Sequence, residues 1–271
     1  MNTYGFHSIH GRAPAVATGV KIANPDLSVW VVTGDGDGLS IGGNHFMHVL
    51  RRNMDVNILM FNNRIYGLTK GQYSPTSEQG KKTKASPYGS IDYPLNPPSL
   101  ALGAQATFVA RTIDRWQKHM AAMLERSYNH DGGSFIEIYQ NCNIFNDAAF
   151  EEYTGSEKFS NVIELKHGEP MVFAQGTKGI KLDGFKPKVV DMEKNSIDDI
   201  LVHNETDLDL AHIIANWTSH PTLPEPIGVI YCIDKTTYNQ DIVNQIELAI
   251  KTKGPGNVQD LLNSGDTWVV D

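Results

Sequence analysis

Two strand ends constrain this chain more than anything else in it. Leu27-Ser28-Val29-Trp30-Val31-Val32-Thr33 reads by length and composition as a buried strand that ends in Gly34-Asp35-Gly36-Asp37-Gly38. A helical stretch from Ser40 to Arg52 follows, then a second strand, Asp55 to Phe61, ending in Asn62-Asn63. Strand, crossover helix and return strand make a βαβ unit, whose two strands run parallel and adjacent. Side chains just past both carboxyl ends then share one rim of the sheet, which is where open parallel sheets bind ligands. Asp35 and Asn63 are placed there.

The alternation continues. Thr107 to Ala110 and Phe135 to Tyr139 read as third and fourth strands, and Gly11 to Ala23 as a small-residue helix stopped by Asn24-Pro25. Trp116, Met120, Met123 and Leu124 fall on one helical face and are assigned to core packing. The fold class expected is α/β, a mostly parallel sheet with helices on both faces, plus a C-terminal extension. The turn-rich stretch from Gly67 to about Pro98 is too long for an idle connector and reads as a functional loop. Beyond Glu151 the texture changes: a hairpin about Gly176-Thr177-Lys178-Gly179, an acidic stretch from Asp191 to Asp209 and one more strand, Ile227 to Ile233. The division expected is 1–150 as the ligand-binding domain and 151–271 as an extension packed on it.

Composition narrows the function. The net charge is −8 and no basic stripe exists; Lys81-Lys82-Thr83-Lys84 reads as a solvated loop, so no nucleic-acid partner is expected. No segment approaches the roughly 20 apolar residues that span a bilayer, and Met1-Asn2-Thr3-Tyr4-Gly5 lacks the pattern of a leader. Two cysteines, Cys142 and Cys232, make no disulfide framework. A cytoplasmic protein without membrane contact is the expectation.

Common phosphate and metal motifs fail at the rim. No lysine lies between Leu27 and Asn63, which excludes a Walker loop. The dinucleotide pattern breaks at Leu39 or Ile41, and a calcium loop would need an oxygen ligand at Leu39. What remains is a glycine turn offering main-chain N–H groups beside two carboxylates. The amides favour an anion and the carboxylates repel one, and a divalent cation bridging protein oxygen to phosphate oxygen resolves the conflict. Mg²⁺ asks for six hard oxygens at about 2.0–2.1 Å. The Asp35 carboxylate, the Asn63 amide oxygen, a main-chain carbonyl, a water and two phosphate oxygens make such a set.

Gly34-Asp35-Gly36 through Asn62-Asn63 resembles the thiamine diphosphate fingerprint. The wider text, Gly5-Phe6-His7-Ser8-Ile9-His10-Gly11-Arg12, then Gly34 to His45, then Asn63-Arg64-Ile65-Tyr66-Gly67-Leu68-Thr69-Lys70-Gly71-Gln72, is similar to the β subunits of 2-oxoacid:ferredoxin oxidoreductases, above all the 2-oxoglutarate type. The likeness is strong over about residues 1 to 150. It implies Asp35, Asn63 and the Ile65 carbonyl as Mg²⁺ ligands, with Gly34, Gly36, Asp37, Gly67, Leu68 and Thr69 around the cofactor. It implies His10 near the reacting centre, and Leu68 and Lys70 facing the substrate carboxylate. It further implies oxidative decarboxylation of a 2-oxoacid to an acyl-coenzyme A, with electrons leaving through iron–sulfur to ferredoxin, and an α subunit that completes the site. A helix-entry histidine at His10 and a solvated lysine at Lys70 are the plain alternatives.

In that family a cysteine at the position of Cys142 is one of four ligands to a [4Fe–4S] cluster, the other three lying upstream of the thiamine motif. No such upstream cysteines occur here, so the chain resembles a family member lacking its N-terminal cluster-binding segment. Cys142 alone reads as a free thiol, and Cys232 as core. Two further readings share the fingerprint: a subunit of a non-oxidative thiamine-dependent lyase or synthase, and a non-catalytic assembly subunit.

Overall fold

The computed structural model describes residues 3–270; Met1, Asn2 and Asp271, at the limits of the two expected segments and of the leader comparison, lie outside them. The chain order is α1 (Ala13–Ala23), β1 (Trp30–Gly34), α2 (Asp35–Leu39), α3 (Gly43–Arg51), β2 (Asn57–Asn62), α4 (Pro97–Gly103), β3 (Phe108–Ile113), α5 (Gln117–Tyr128) and β4 (Ser134–Tyr139). The second half adds α6 (Glu151–Thr154), α7 (Lys158–Asn161), β5 (Val162–Leu165), β6 (Val172–Phe173), β7 (Lys178–Asp183), β8 (Lys186–Asp191), α8 (Leu208–Asn216), β9 (Glu225–Cys232), α9 (Tyr238–Lys253) and α10 (Val258–Leu262). No helix among the described residues is long and apolar enough to cross a membrane.

Six strands form the main sheet in the order β1-β2-β4-β3-β9-β5. The first four are parallel, β9 runs antiparallel to β3, and β5 runs parallel to β9. This is the mostly parallel α/β architecture expected, with β1 and β2 adjacent. Strands β6, β7 and β8 form a separate antiparallel sheet that contains the expected hairpin.

Side chains alternate across the strands and so serve two cores. One face packs against α1, α3, α4 and α8 through Ala17, Phe46, Leu50, Leu102, Ala211 and Ile214, over Val31, Ile58, Val109 and Phe135. The opposite face carries α5, whose Met120, Met123 and Leu124 cover Phe108, Ala110, Ile136 and Val229. The stripe on α5 is core, as expected, and Trp116 at the start of that helix joins a third cluster around Tyr139 and Tyr153.

Several expectations are corrected. The run from Leu27 was expected to be a buried strand, but β1 starts at Trp30 and buries only alternate residues, leaving Val32 62% exposed. It is an edge strand, and its α5-side face lies beyond the reach of that helix. Gly34 to Gly38 was expected to be a loop, yet Asp35–Leu39 is a helical turn, and the following helix starts at Gly43 instead of Ser40. Close packing explains the break: Gly42 lies against Gly11, where any added Cβ would meet Gly11 Cα at 3.0 Å. The segment beyond residue 150 is more than an attachment, since β5 and β9 extend the same sheet past β3. The polar texture there also hid α8 and the 16-residue α9.

A buried ionic cluster fastens β9 to the first four strands. Arg111 on β3 is fully buried; its Nε donates to Glu137 Oε2 of β4 at 2.7 Å, and its Nη1 lies 2.7 Å from Glu225 Oε1 of β9. Tyr139 Oη donates to Glu225 Oε1 at 2.8 Å, and the Ser219 N–H to Glu225 Oε2 at 2.8 Å. Desolvation opposes the Arg111 charge, but the surrounding tyrosine and carboxylates outweigh it and raise its pKa.

Candidate functional site

The site grows from the carboxyl ends of β1 and β2. Thr33 pairs with Met60 and Gly34 with Phe61 across the two strands, so Asp35 and Asn63 emerge side by side. The Asn63 N–H donates to Asp35 Oδ1 at 3.4 Å, which puts both residues on one rim. Asp35 is 1% exposed, and Thr76 Oγ1 donates to its Oδ2 at 2.6 Å. Burial raises the Asp35 pKa, with the hydrogen bonds to its oxygens working the other way. All its partners are neutral, so a buried carboxylate here lacks a countercharge.

The Asn-Asn pair shapes the turn after β2. Asn62 Oδ1 accepts from Arg64 N at 3.1 Å and Asn63 Oδ1 accepts from Ile65 N at 3.3 Å, two successive side-chain-to-backbone turns of the kind asparagine favours. Between them Arg64 has φ 54°, a left-handed conformation that costs about 1–2 kcal/mol for a side-chain-bearing residue. The Arg64 guanidinium stacks 4.6 Å from the Phe150 ring centre and donates to Ser219 Oγ at 3.0 Å, contacts that hold the strained turn. Asn146 Nδ2 donates to the Asn63 carbonyl at 2.9 Å.

Gly36 must be glycine. Tyr66 Oη donates to the Gly36 carbonyl at 3.0 Å and its ring occupies the space a Cβ would need. The segment 66–72 then closes on itself: Tyr66 N–H donates to the Gln72 carbonyl at 2.9 Å and Gly71 N–H to the Tyr66 carbonyl at 2.8 Å. Thr69 Oγ1 donates to Gln72 Oε1. This small loop displays Leu68, 87% exposed, together with Thr69 and Lys70, whose φ is 72°. Gly67 neighbours Cys142, whose Sγ lies 3.7 Å from where a Gly67 Cβ would stand.

Asp37 faces the other way. Its Oδ1 accepts from the Gly11 N–H at 2.7 Å and its Oδ2 from Thr33 Oγ1 at 2.6 Å, so it braces the loop that enters α1. On that loop His10 Nε2 lies 3.7 Å from Asp37 Oδ1 and the ring is largely exposed. The structure thus gathers Gly34, Asp35, Gly36, Asn63, Ile65 and Gly67 around one rim, with His10 held beside it through Asp37.

Sequence reasoning missed Thr76, Thr33 and Asn146, and gave Asn62 and Tyr66, though part of the quoted motifs, no role of their own. The loop carrying Thr76 was marked only by its length, and nothing in Ser74-Pro75-Thr76-Ser77 points to one hydroxyl. A cavity of about 310 Å³ is lined by Arg64 and chiefly by residues of the second half such as Tyr153, Lys178, Ser219 and His220, and includes neither Asp35 nor Asn63.

The rim fits a hard divalent cation. No group of three or more His, Cys, Asp or Glu side chains clusters among the described residues. An ion here would therefore draw on Asp35 with amide and main-chain oxygens, the donor chemistry that suits Mg²⁺ and suits softer metals poorly. A buried carboxylate without a countercharge is what such an ion would neutralise.

Strand ends, glycine turn and paired asparagines define a protein class, and comparison agrees. The family described as Thiamine pyrophosphate enzyme, C-terminal TPP binding domain matches residues 1–138, and the chain belongs to it. Among its relatives, the 2-oxoglutarate oxidoreductase subunit KorB of Mycobacterium tuberculosis is 49% identical over 276 residues, covering 100% of this chain and 74% of that one. The 2-oxoacid:ferredoxin oxidoreductase 1 subunit beta of Aeropyrum pernix is 46% identical over 56% of this chain and 48% of its own length, and the 2-oxoglutarate synthase subunit KorB of Archaeoglobus fulgidus 44% identical over 50% and 51%. The match thus spans only about half the length of these archaeal relatives. A solved structure of 2-oxoglutarate:ferredoxin oxidoreductase from Magnetococcus marinus, with 2-oxoglutarate, coenzyme A and succinyl-CoA bound, superposes with a TM-score of 0.74 at 28% identity, over 98% of this chain and 77% of that one. More narrowly, then, the chain belongs to the β-subunit family of the 2-oxoacid:ferredoxin oxidoreductases.

Proposed function

We propose that this chain is the β subunit of a coenzyme A-acylating 2-oxoacid:ferredoxin oxidoreductase, with 2-oxoglutarate as the 2-oxoacid, and that its own task is to hold Mg²⁺ and thiamine diphosphate. The observation that carries the reading is the buried, uncompensated Asp35 carboxylate beside Asn63 on a single rim. In this reading Asp35, the Asn63 amide oxygen and the Ile65 carbonyl hold Mg²⁺. Gly34, Gly36, Gly67, Leu68 and Thr69 accommodate the diphosphate, and the Gly36 turn lets the backbone approach it closely. Asp37 holds the α1 entry loop so that His10 stands near the cofactor. When bound, thiamine diphosphate supplies a carbanion nucleophile for decarboxylation.

Leu68 and Lys70 face the substrate carboxylate from the closed 66–72 loop. Its exposure within this chain suits a site completed by a second polypeptide, the α subunit. Cys142, beside Gly67, would ligate an iron–sulfur cluster only together with cysteines supplied from outside the sequence described. The substrate and coenzyme A assignments rest on the relatives named above, and ferredoxin is the acceptor that their names carry. A cytoplasmic location goes with the reading, in keeping with two unpaired cysteines.

The chain co-purified with its α subunit should reduce a viologen dye in the presence of 2-oxoglutarate and coenzyme A, and removing Mg²⁺ by chelation should abolish this. The chain alone should bind the cofactor weakly and show no turnover. Turnover by the isolated chain, or turnover indifferent to coenzyme A, would overturn the proposal.

A further inference from the structure

Asp35 has two carboxylate oxygens, and the structure treats them differently. Oδ1 faces the Asn63 N–H at the rim. Oδ2 is turned inward onto Thr76 Oγ1 at 2.6 Å. Thr76 is 4% exposed and belongs to the long loop after β2, 41 positions from its acceptor. The loop is pinned where it delivers this hydroxyl: Ser77 Oγ donates to the Arg64 carbonyl at 2.6 Å and accepts from the Ser74 N–H at 2.8 Å.

The same hydroxyl lies 2.9 Å from Asn62 Oδ1. The orientation of that amide is not free. Asn62 Nδ2 donates to Glu137 Oε1 at 2.7 Å, and Glu137 is held through its other oxygen by Arg111 Nε. With its nitrogen committed to Glu137, Asn62 presents oxygen to Thr76. Thr76 has a single hydroxyl proton for two acceptors, and Asp35 Oδ2 is the nearer; Asn62 Oδ1, fixed from the ion-pair side, stands next to the same hydroxyl as a second acceptor.

We propose that Thr76 is the positioning residue of the cation site: it holds Asp35 Oδ2 away from the rim and so presents Oδ1, beside Asn63, to the metal. This rests on the Mg²⁺–thiamine diphosphate reading above. The hydroxyl touches neither substrate nor reacting atoms and acts only through Asp35. A carboxylate with one oxygen tethered loses less rotational freedom on binding an ion and cannot swing to an unproductive geometry.

The test is a metal titration on the full chain purified with its α subunit. Free Mn²⁺ is counted by electron paramagnetic resonance as it binds in the presence of saturating thiamine diphosphate. Thr76→Val keeps shape and removes the hydroxyl; Thr76→Ser keeps the hydroxyl. The valine variant should need roughly tenfold more Mn²⁺ for half-saturation and the serine variant no more than about threefold, a split that a role in packing alone would not produce. Thr76→Ala, which relieves any strain from the valine methyl, should behave as valine does and serves in its place if that variant does not fold. Parent-like Mn²⁺ affinity in either hydroxyl-free variant overturns the assignment of Thr76. Absence of thiamine-dependent Mn²⁺ binding in the parent protein overturns the cofactor reading itself, and this assignment with it.

Discussion

Asp35 and Glu137 are both buried acidic residues, yet the protein holds them in opposite ways. Glu137 receives a guanidinium N–H from Arg111 and an amide N–H from Asn62, each at 2.7 Å, and its positive partner is itself fully buried. Asp35 receives only neutral donors, side-chain hydroxyls and a main-chain N–H, of which Thr76 Oγ1 at 2.6 Å is the nearest. A buried charge is tolerated when it is paired and well hydrogen-bonded, so Glu137 is complete as it stands. Asp35 has no such countercharge, and in the function proposed above Mg²⁺ supplies it. The contrast separates a carboxylate paired within the fold from one that the proposed function pairs with a cation, although Asn62 and Thr76 lie between them.

The comparison breaks first if Glu137 can be neutralised at no penalty. Glu137→Gln strands the Arg111 charge next to Glu225 alone and is expected to destabilise the fold by about 3–5 kcal/mol, read from urea unfolding midpoints. Asp35→Asn should do the reverse: stability of the metal-free protein stays within about 1 kcal/mol of the parent, because an uncompensated buried charge has been removed. Its metal-dependent thiamine diphosphate binding should meanwhile fall by roughly a hundredfold or more, about 2.7 kcal/mol, measured by calorimetric titration. A large stability loss in Asp35→Asn would make the two carboxylates alike and remove the distinction.

A smaller effect tests whether neutral burial elsewhere behaves as it does at Asp35. His203 is buried, its Nε2 lies 2.8 Å from the Val229 carbonyl, and its Nδ1 has no partner. Burial lowers its pKa below the ordinary 6.5, and burial acts in the same direction on His130 and His119. With the folded value depressed, the unfolded chain takes up the proton first. The stability of the neutral ring is fully present above about pH 6.5 and is lost as pH falls from there through the depressed folded values. Each histidine adds a slope of at most about 1.4 kcal/mol per pH unit in that window. Unfolding free energies measured between pH 7.5 and 5 should show this decline, and His203→Gln should flatten it. An unchanged slope in that variant would show that His203 is not a source of it.

Much of the architecture could be read in advance because it is local. The strand before Gly34, the helix before Arg52 and the strand before Asn62 each announce themselves by periodicity, and the parallel crossover then leaves little choice about which rim Asp35 and Asn63 share. The second half was read poorly for the same reason: β5, β8 and α9 are short, polar or weakly patterned, and residues such as Val32 look like core until the sheet order shows that β1 is an edge. The insertion of β9 beside β3 depends on Arg111 finding Glu225, 114 positions along the chain, which no window of sequence contains.

The amino-acid sequence by itself therefore determined the adjacent parallel strands and the edge that Asp35 shares with the paired asparagines, since these follow from backbone preferences acting over one βαβ unit. Tertiary structure alone decided which oxygen of Asp35 is tethered, that Thr76 does the tethering, and that Glu137 orients Asn62 from within the sheet. Hydrogen bonds lose their strength over a few tenths of an ångström and a few tens of degrees, so which groups make them is settled only when distant segments are packed into place.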